Sequence, residues 1–158
     1  MLYRKILSAL IINALCFTVV HAEISVSSAD LGFHSLFNDN GIIYGAGSSE
    51  FGELAVSNYQ VIFDEEPIDL PARAIKVETG RFRSAALLET GELYLFGRDL
   101  STRPVPMESL GGEITDFDIS NQGAWIVIDG YVHHGWSTSA DDYSRVEGLS
   151  NIVSVVAL

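Results

Sequence analysis

Cysteine occurs once in this chain, at Cys16, inside an apolar stretch near its start. Disulfides therefore hold nothing downstream, and packing and hydrogen-bonded ladders must do that work. Lysine and arginine are absent from Glu23 to Ala72. The charge of the whole chain is one-sided, with 21 Asp and Glu against nine Lys and Arg and a formal net charge of −12. A phosphate backbone demands neutralising cations, so this composition argues against nucleic acid, and against an anionic membrane surface. Proline is confined to two loop stretches, at Pro67 and Pro71 and at Pro104 and Pro106. Past the first 22 residues, no segment shows the apolar period of an amphipathic helix.

Residues 1–22 read as a processing signal, to be set apart from the fold. Arg4 and Lys5 form a positive start, Ile6 to Val20 is apolar except for Ser8, Asn13 and Thr18, and Val20-His21-Ala22 suits a signal peptidase. The run falls short of the roughly 18 apolar residues that a spanning helix needs. Leu15 before Cys16 argues against lipid attachment, which wants a small residue there. Cleavage would remove the cysteine and two bases, leaving 136 residues with a net charge of −14. Export without disulfides fits a bacterial envelope, so the expected location is periplasmic or secreted, with no membrane association after cleavage. The acidic surface would confer solubility, or meet a basic protein or a divalent cation.

What the chain does contain is a repeat. His34-Ser35-Leu36-Phe37 precedes Gly41-Ile42-Ile43-Tyr44 and Gly47, and Arg83-Ser84-Ala85-Ala86-Leu87-Leu88 precedes Gly91-Glu92-Leu93-Tyr94 and Gly97. A looser copy reads Ala124-Trp125-Ile126-Val127-Ile128, then Gly130-Tyr131-Val132-His133, then Trp136. Gly41 to Gly91, Tyr44 to Tyr94 and Gly47 to Gly97 are each 50 residues, and Gly91 to Gly130 is 39. Such periods mark blade arrays or solenoids. Period-two alternation predicts half-buried strands at Ile24-Ser25-Val26, Ile75-Lys76-Val77, Phe117-Asp118-Ile119 and Val153-Ser154-Val155. The continuous apolar runs Ala85–Leu88 and Trp125–Ile128 predict strands covered on both faces. Asp39-Asn40-Gly41, Glu89-Thr90-Gly91 and Asp129-Gly130 predict hairpin turns. Val153 and Val155 lie 36 residues after Phe117 and Ile119, which suggests that a further copy begins near residue 151.

These elements resemble the regulator of chromosome condensation repeat. That repeat runs from an apolar strand through G-x-x-H-S and D-G to an apolar-aromatic strand, W-G and a G-x-L-G loop. Gly32-Phe33-His34-Ser35, Asn40-Gly41-Ile42-Ile43-Tyr44 and Gly47 to Leu54 carry the likeness in the first copy. Gly80-Arg81-Phe82-Arg83-Ser84 and Gly91 to Gly97 carry it in the second. Departures are Ala46 for an aromatic, Arg83 for histidine, Ala55 for the last loop glycine, and the reversed order Gly135-Trp136. The resemblance implies an all-β fold, a partial β-propeller of about two to three blades, open or fragmentary. The repeats would cover 23–158, divided at about 23–72, 73–112 and 113–150, with a further start at 151. It also implies a protein-binding platform. Tyr44, Tyr94, Phe96 and Trp136 would fill the wedges between sheets, and His34 would bond backbone at a blade junction. Propellers close with roughly 4–8 blades. The chain is thus expected to be part of a longer propeller, to close a ring with other copies, or to be a stable open stack whose edges self-associate.

No reaction centre emerges. Ser35 and Ser84 lack a nucleophile-elbow context. His133-His134 on a strand would point to opposite faces, with the second exposed. Asp64-Glu65-Glu66 and Asp141-Asp142 lack calcium-loop spacing. Gly45-Ala46-Gly47 is not followed by a helix, so no nucleotide cradle is expected. No catalytic residue, cofactor or metal is assigned. The expected function is an exported, non-enzymatic protein-binding module that makes contact through Ser48 to Leu54 and Asp99 to Arg103. The alternatives are a propeller lyase or hydrolase on envelope polymers, whose site needs the complete ring, and a secreted enzyme inhibitor.

Overall fold

The computed structural model describes residues 24–28, 33–56, 61–62 and 67–157. The expected signal, residues 1–22, and the acidic run Asp64 to Glu66 lie outside the described residues. The strands form three four-stranded antiparallel meanders, each with its strands in chain order. The first holds β1 (Ile24–Ser28), β2 (His34–Asp39), β3 (Ile42–Ser48) and β4 (Val61–Ile62). The second holds β5 (Ala74–Thr79), β6 (Arg83–Leu88), β7 (Leu93–Gly97) and β8 (Val105–Pro106). The third holds β9 (Ile114–Ser120), β10 (Gly123–Ile128), β11 (Tyr131–Gly135) and β12 (Ser144–Arg145). A 3₁₀ turn, Ala140–Asp142, precedes β12.

Register shows that the copies match strand for strand. Phe37 faces Tyr44, Ala86 faces Tyr94, and Ile126 faces His133. The hairpins turn where expected: Asn40 and Gly41 have φ of 51° and 87°, and Asp129 and Gly130 have 50° and 78°. Positive φ at both central residues matches the right-handed twist of the flanking strands.

The sheets stack flank on flank around two cores. Leu36, Ile43 and Leu54 of the first sheet meet Val77, Ala86, Leu88 and Phe96 of the second. Ala85, Leu87, Leu93 and Leu95 of the second meet Phe117, Ile119, Ala124 and Ile126 of the third. Neighbours Ala85 and Ala86 thus serve different cores, which is why β6 is apolar without a break. Full burial of one large apolar side chain such as Phe96 or Phe117 contributes about 1.5–3 kcal/mol.

Three strand expectations need correction. The apolar side of β1 is not half-buried: Val26 is 59% exposed, whereas Val77 and Phe117, at the same place in their sheets, are 5% and 0% exposed. Alternation marks the flank that packs on a preceding sheet, and among the described residues no sheet covers that flank of the first. Tyr44 shares this outer flank with Val26 and Phe37, so it fills no wedge. The register expected for residues 153–155 is off by two. The amide of Thr79 donates to Ser27 Oγ (2.9 Å), and the amide of Ala157 donates in the same way to Asp118 Oδ2 (2.7 Å). Val155, not Val153, therefore stands at the position of Phe117. Residues 152–157 run along β9 without forming the expected strand, Val153 is exposed, and the Val155 amide donates to Asp116 Oδ2 (2.9 Å).

Gly97 has φ 110°, and a Cβ there would come within 2.5 Å of the Phe82 carbonyl oxygen. Gly91 has φ 85° and open space. Gly97→Ala is expected to cost about 3 kcal/mol or more in urea unfolding, and Gly91→Ala about 1–2 kcal/mol. Equal losses would show that the contact with Phe82 sets nothing.

Candidate functional site

In each sheet the loop after the third strand and the turn after the first emerge at the same end, opposite the hairpins. There the segments 49–56 and 97–102, from neighbouring sheets, wall a cleft of about 560 Å³. The two loops expected from sequence to make contacts thus share one concavity. The first is built by its own polar groups. Ser49 Oγ accepts from the Leu54 amide (3.2 Å), and Glu53 Oε2 accepts from the Phe51 amide (2.7 Å). Glu53 is buried, and that burial raises its pKa although the amides of its own loop pull the other way. Ala55 has φ 61°, a left-handed conformation, which explains why the repeat favours glycine there.

Aromatic rings and arginines gather beside the cleft. Phe51 meets Phe82 edge-on at 5.1 Å between centroids. The Arg98 guanidinium lies 5.0 Å from the Phe51 ring and 5.2 Å from the Phe82 ring, and Arg81 lies 4.8 Å from Phe82. Arg83 is half-buried. It donates to the Arg98 carbonyl (2.6 Å) and to Asp99 Oδ2 (2.8 Å), and it stacks at 3.4 Å on Trp136 of the third sheet. Burial lowers the Arg83 pKa, partly countered by Asp99, and a guanidinium remains charged regardless.

One hydroxyl fixes the cleft to the first junction. Ser84 Oγ donates to the Glu53 carbonyl (2.7 Å), so its oxygen is left to accept from His34 Nε2–H (2.9 Å). His34 therefore reaches the next sheet chiefly through a side chain, where backbone was expected, with the Arg83 backbone close by. Its Nδ1 is buried without a partner among the described residues. Burial takes the His34 pKa down to about 4, against a smaller opposite pull from the Arg83 backbone.

No family model matches the chain, and no curated protein sequence matches it. Solved structures do match. Human WBSCR16 gives a TM-score of 0.65 at 18% identity, over 73% of this chain and 33% of its own. Yeast RCC1 (Prp20), solved bound to Kap60, gives 0.60 at 17% identity, over 72% and 29%. Prp20p from Saccharomyces cerevisiae, reported with its binding to Gsp1p and histones, gives 0.62 at 15% identity, over 73% and 33%. The fold is a partial β-propeller like that of RCC1. This chain spans about a third of the length of these structures.

The other residues singled out from sequence are scattered over the propeller. Phe96 lies in the first junction, Tyr94 packs half-buried against it, and Trp136 meets Arg83 at the second. His133 and His134 occupy opposite faces of β11, but His134 is not simply exposed. It lies 4.0 Å from the Trp125 ring, and its Nε2 is 3.2 Å from the Gln122 carbonyl. Asp142 accepts from Ser137 Oγ. The reversed pair Gly135-Trp136 also has a reason. Ala124 faces Gly135, so Trp136 falls opposite Gly123, where blades one and two pair Gly47 with His34 and Gly97 with Arg83. The bulk has changed strands, and so has the glycine. Among the described residues, no group of three or more His, Cys, Asp or Glu is placed to hold a metal ion.

Sequence reading missed the ionic link between the inner strands. Lys76 Nζ donates to Asp116 Oδ1 (2.6 Å) and to the Phe117 carbonyl (2.5 Å), and lies 3.2 Å from Glu78 Oε1. Burial alone would lower the Lys76 pKa, but Asp116 and Glu78 outweigh it and raise it. Burial raises the Glu78 pKa despite the lysine. The two shifts agree once Asp116 is taken as the main partner, since it holds the shorter bond. Only the period-two placement of Lys76, Glu78 and Asp116 signalled this link.

His34 supplies a pH test. Its folded pKa of about 4 lies below the ordinary 6.5, so the unfolded chain binds more protons between those values. Its contribution is fully present above pH 6.5 and is lost as pH falls towards 4. From pH 7 to pH 5 the wild type is expected to lose about 2 kcal/mol that His34→Gln does not lose. Parallel stability curves for the two proteins would overturn this.

Proposed function

We propose that the chain is an exported, non-enzymatic module that binds another protein through the loop end of its blades. The single observation carrying this reading is the cleft between segments 49–56 and 97–102, where two blades pool their loops beside exposed arginines and aromatic rings. Rigid strands hold these loops, and the Ser84 hydroxyl ties one of them to the neighbouring blade, so the surface is shaped before a partner arrives. Yeast RCC1 (Prp20) is solved bound to Kap60, and Prp20p was studied for binding Gsp1p and histones. Those partners belong to those proteins, and they support protein binding as a job for this fold. Export rests on the charged start, the apolar run and the Val20-His21-Ala22 site.

Two measurements test the reading. The intact mass of protein recovered from a bacterial periplasm is expected to lack residues 1–22, and recovery at full mass from the cytoplasm would refute export. Immobilised protein is expected to retain an envelope protein that a Phe51→Ala, Thr102→Glu double variant of unchanged melting temperature loses. Retention of nothing, or equal retention by both, would refute the binding role of the cleft.

A further inference from the structure

The geometry points to an acidic polypeptide segment as the occupant of this cleft, an inference that rests on the protein-binding reading above. The charge of the chain as a whole would favour a basic partner. Locally the sign reverses. Arg98 lines the cleft, and Arg81 on Phe82 and Arg83 on Asp99 stand beside it, against Glu50 and Asp99 on its walls. Glu53 points its carboxylate into its own loop and is buried.

The two outer arginines have charge to spare. Asp99 is engaged by Arg83 at 2.8 Å and stands 3.9 Å from Arg98 Nε, beyond hydrogen-bond reach. Arg81 has no carboxylate within ion-pair distance among the described residues. Both guanidiniums are exposed, and both are oriented by ring faces: Arg98 by Phe51 and Phe82, Arg81 by Phe82. A ring orients a planar guanidinium without occupying its N–H donors, so the fork stays free for a carboxylate. A run of Asp or Glu would lie across Arg98 and Arg81, with an apolar side chain against the edge of Phe51. The patch is one cleft wide on a strongly acidic chain. It suits a short run of carboxylates, while a long phosphate backbone would meet repulsion beyond its edges.

The test uses a fluorescent oligoglutamate peptide carrying one leucine, with oligolysine, heparin and single-stranded DNA as comparators. Oligoglutamate is expected to bind in low salt, to weaken as salt rises, and to weaken about tenfold in Arg98→Ala and again in Arg81→Ala. Arg98→Lys, which keeps charge but loses the planar stack, should fall between. Arg145→Ala, remote on β12 and stacked on Tyr131, should change nothing. Absence of oligoglutamate binding, or equal loss in Arg145→Ala, overturns the inference. Heparin or DNA binding more tightly with the same arginine dependence also overturns it, in favour of a general polyanion patch. An envelope protein captured equally by wild type and the Arg81, Arg98 double variant would sink the acidic segment and leave the protein-binding role standing. Capture of no protein would sink that role too.

Discussion

A four-stranded sheet of this length has two flanks to cover, and a single sheet cannot cover either of its own. The chain solves this by stacking. Leu36 and Ile43 press on Ala86, Leu88 and Phe96, and Leu87 and Leu95 press on Phe117 and Ile126. Everything else in the molecule follows from that contact being renewed at each blade. It dictates the apolar run through β6, the small residues Ala85 and Ala86 where two cores come closest, and the charged links between inner strands. It also puts the loops of successive blades side by side, and that adjacency is what makes a cleft from segments that are far apart in sequence.

The junctions share one design with different chemistry. At the first, a neutral histidine donates to a serine, which in turn donates to a loop carbonyl. At the second, the position of His34 is held by Arg83, which lies on an indole and binds the chain turn at Arg98 and Asp99. In both, a polar side chain crosses from one blade to the next, and in both it steadies a wall of the cleft. The buried polar groups are hydrogen-bonded as they must be, with His34 Nδ1 and His133 Nδ1 the exceptions among the described residues.

The architecture was legible because the repeat forces it. Glycine at 41, 91 and 130, the aromatic residue at 94, and the apolar stretch at 85–88 each have one geometrical explanation, and the structure supplies it. The two loops that wall the cleft could be singled out from sequence, but their meeting could not. No residue in Ser49 to Leu54 encodes which loop will stand opposite, since that depends on the angle between sheets. The link at Lys76 was hidden for the same reason, because Asp116 is 40 residues away. The register of residues 152–157 was misread because Val153 and Val155 are alike and alternation cannot count. Only the amides caught by Asp116 and Asp118 fix the phase. Ala55 and Trp136 looked like erosion of the motif. One is a strained substitute, and the other is half of a swap across a strand pair.

Among the described residues, the middle blade has a core on each side, while the first turns Ile24, Val26 and Ile42 to water. In an array whose units touch only their neighbours, cooperativity is shared along the stack and does not belong to the whole at once. The cleft is walled by two such neighbours, so whatever settles there would also act as a clasp.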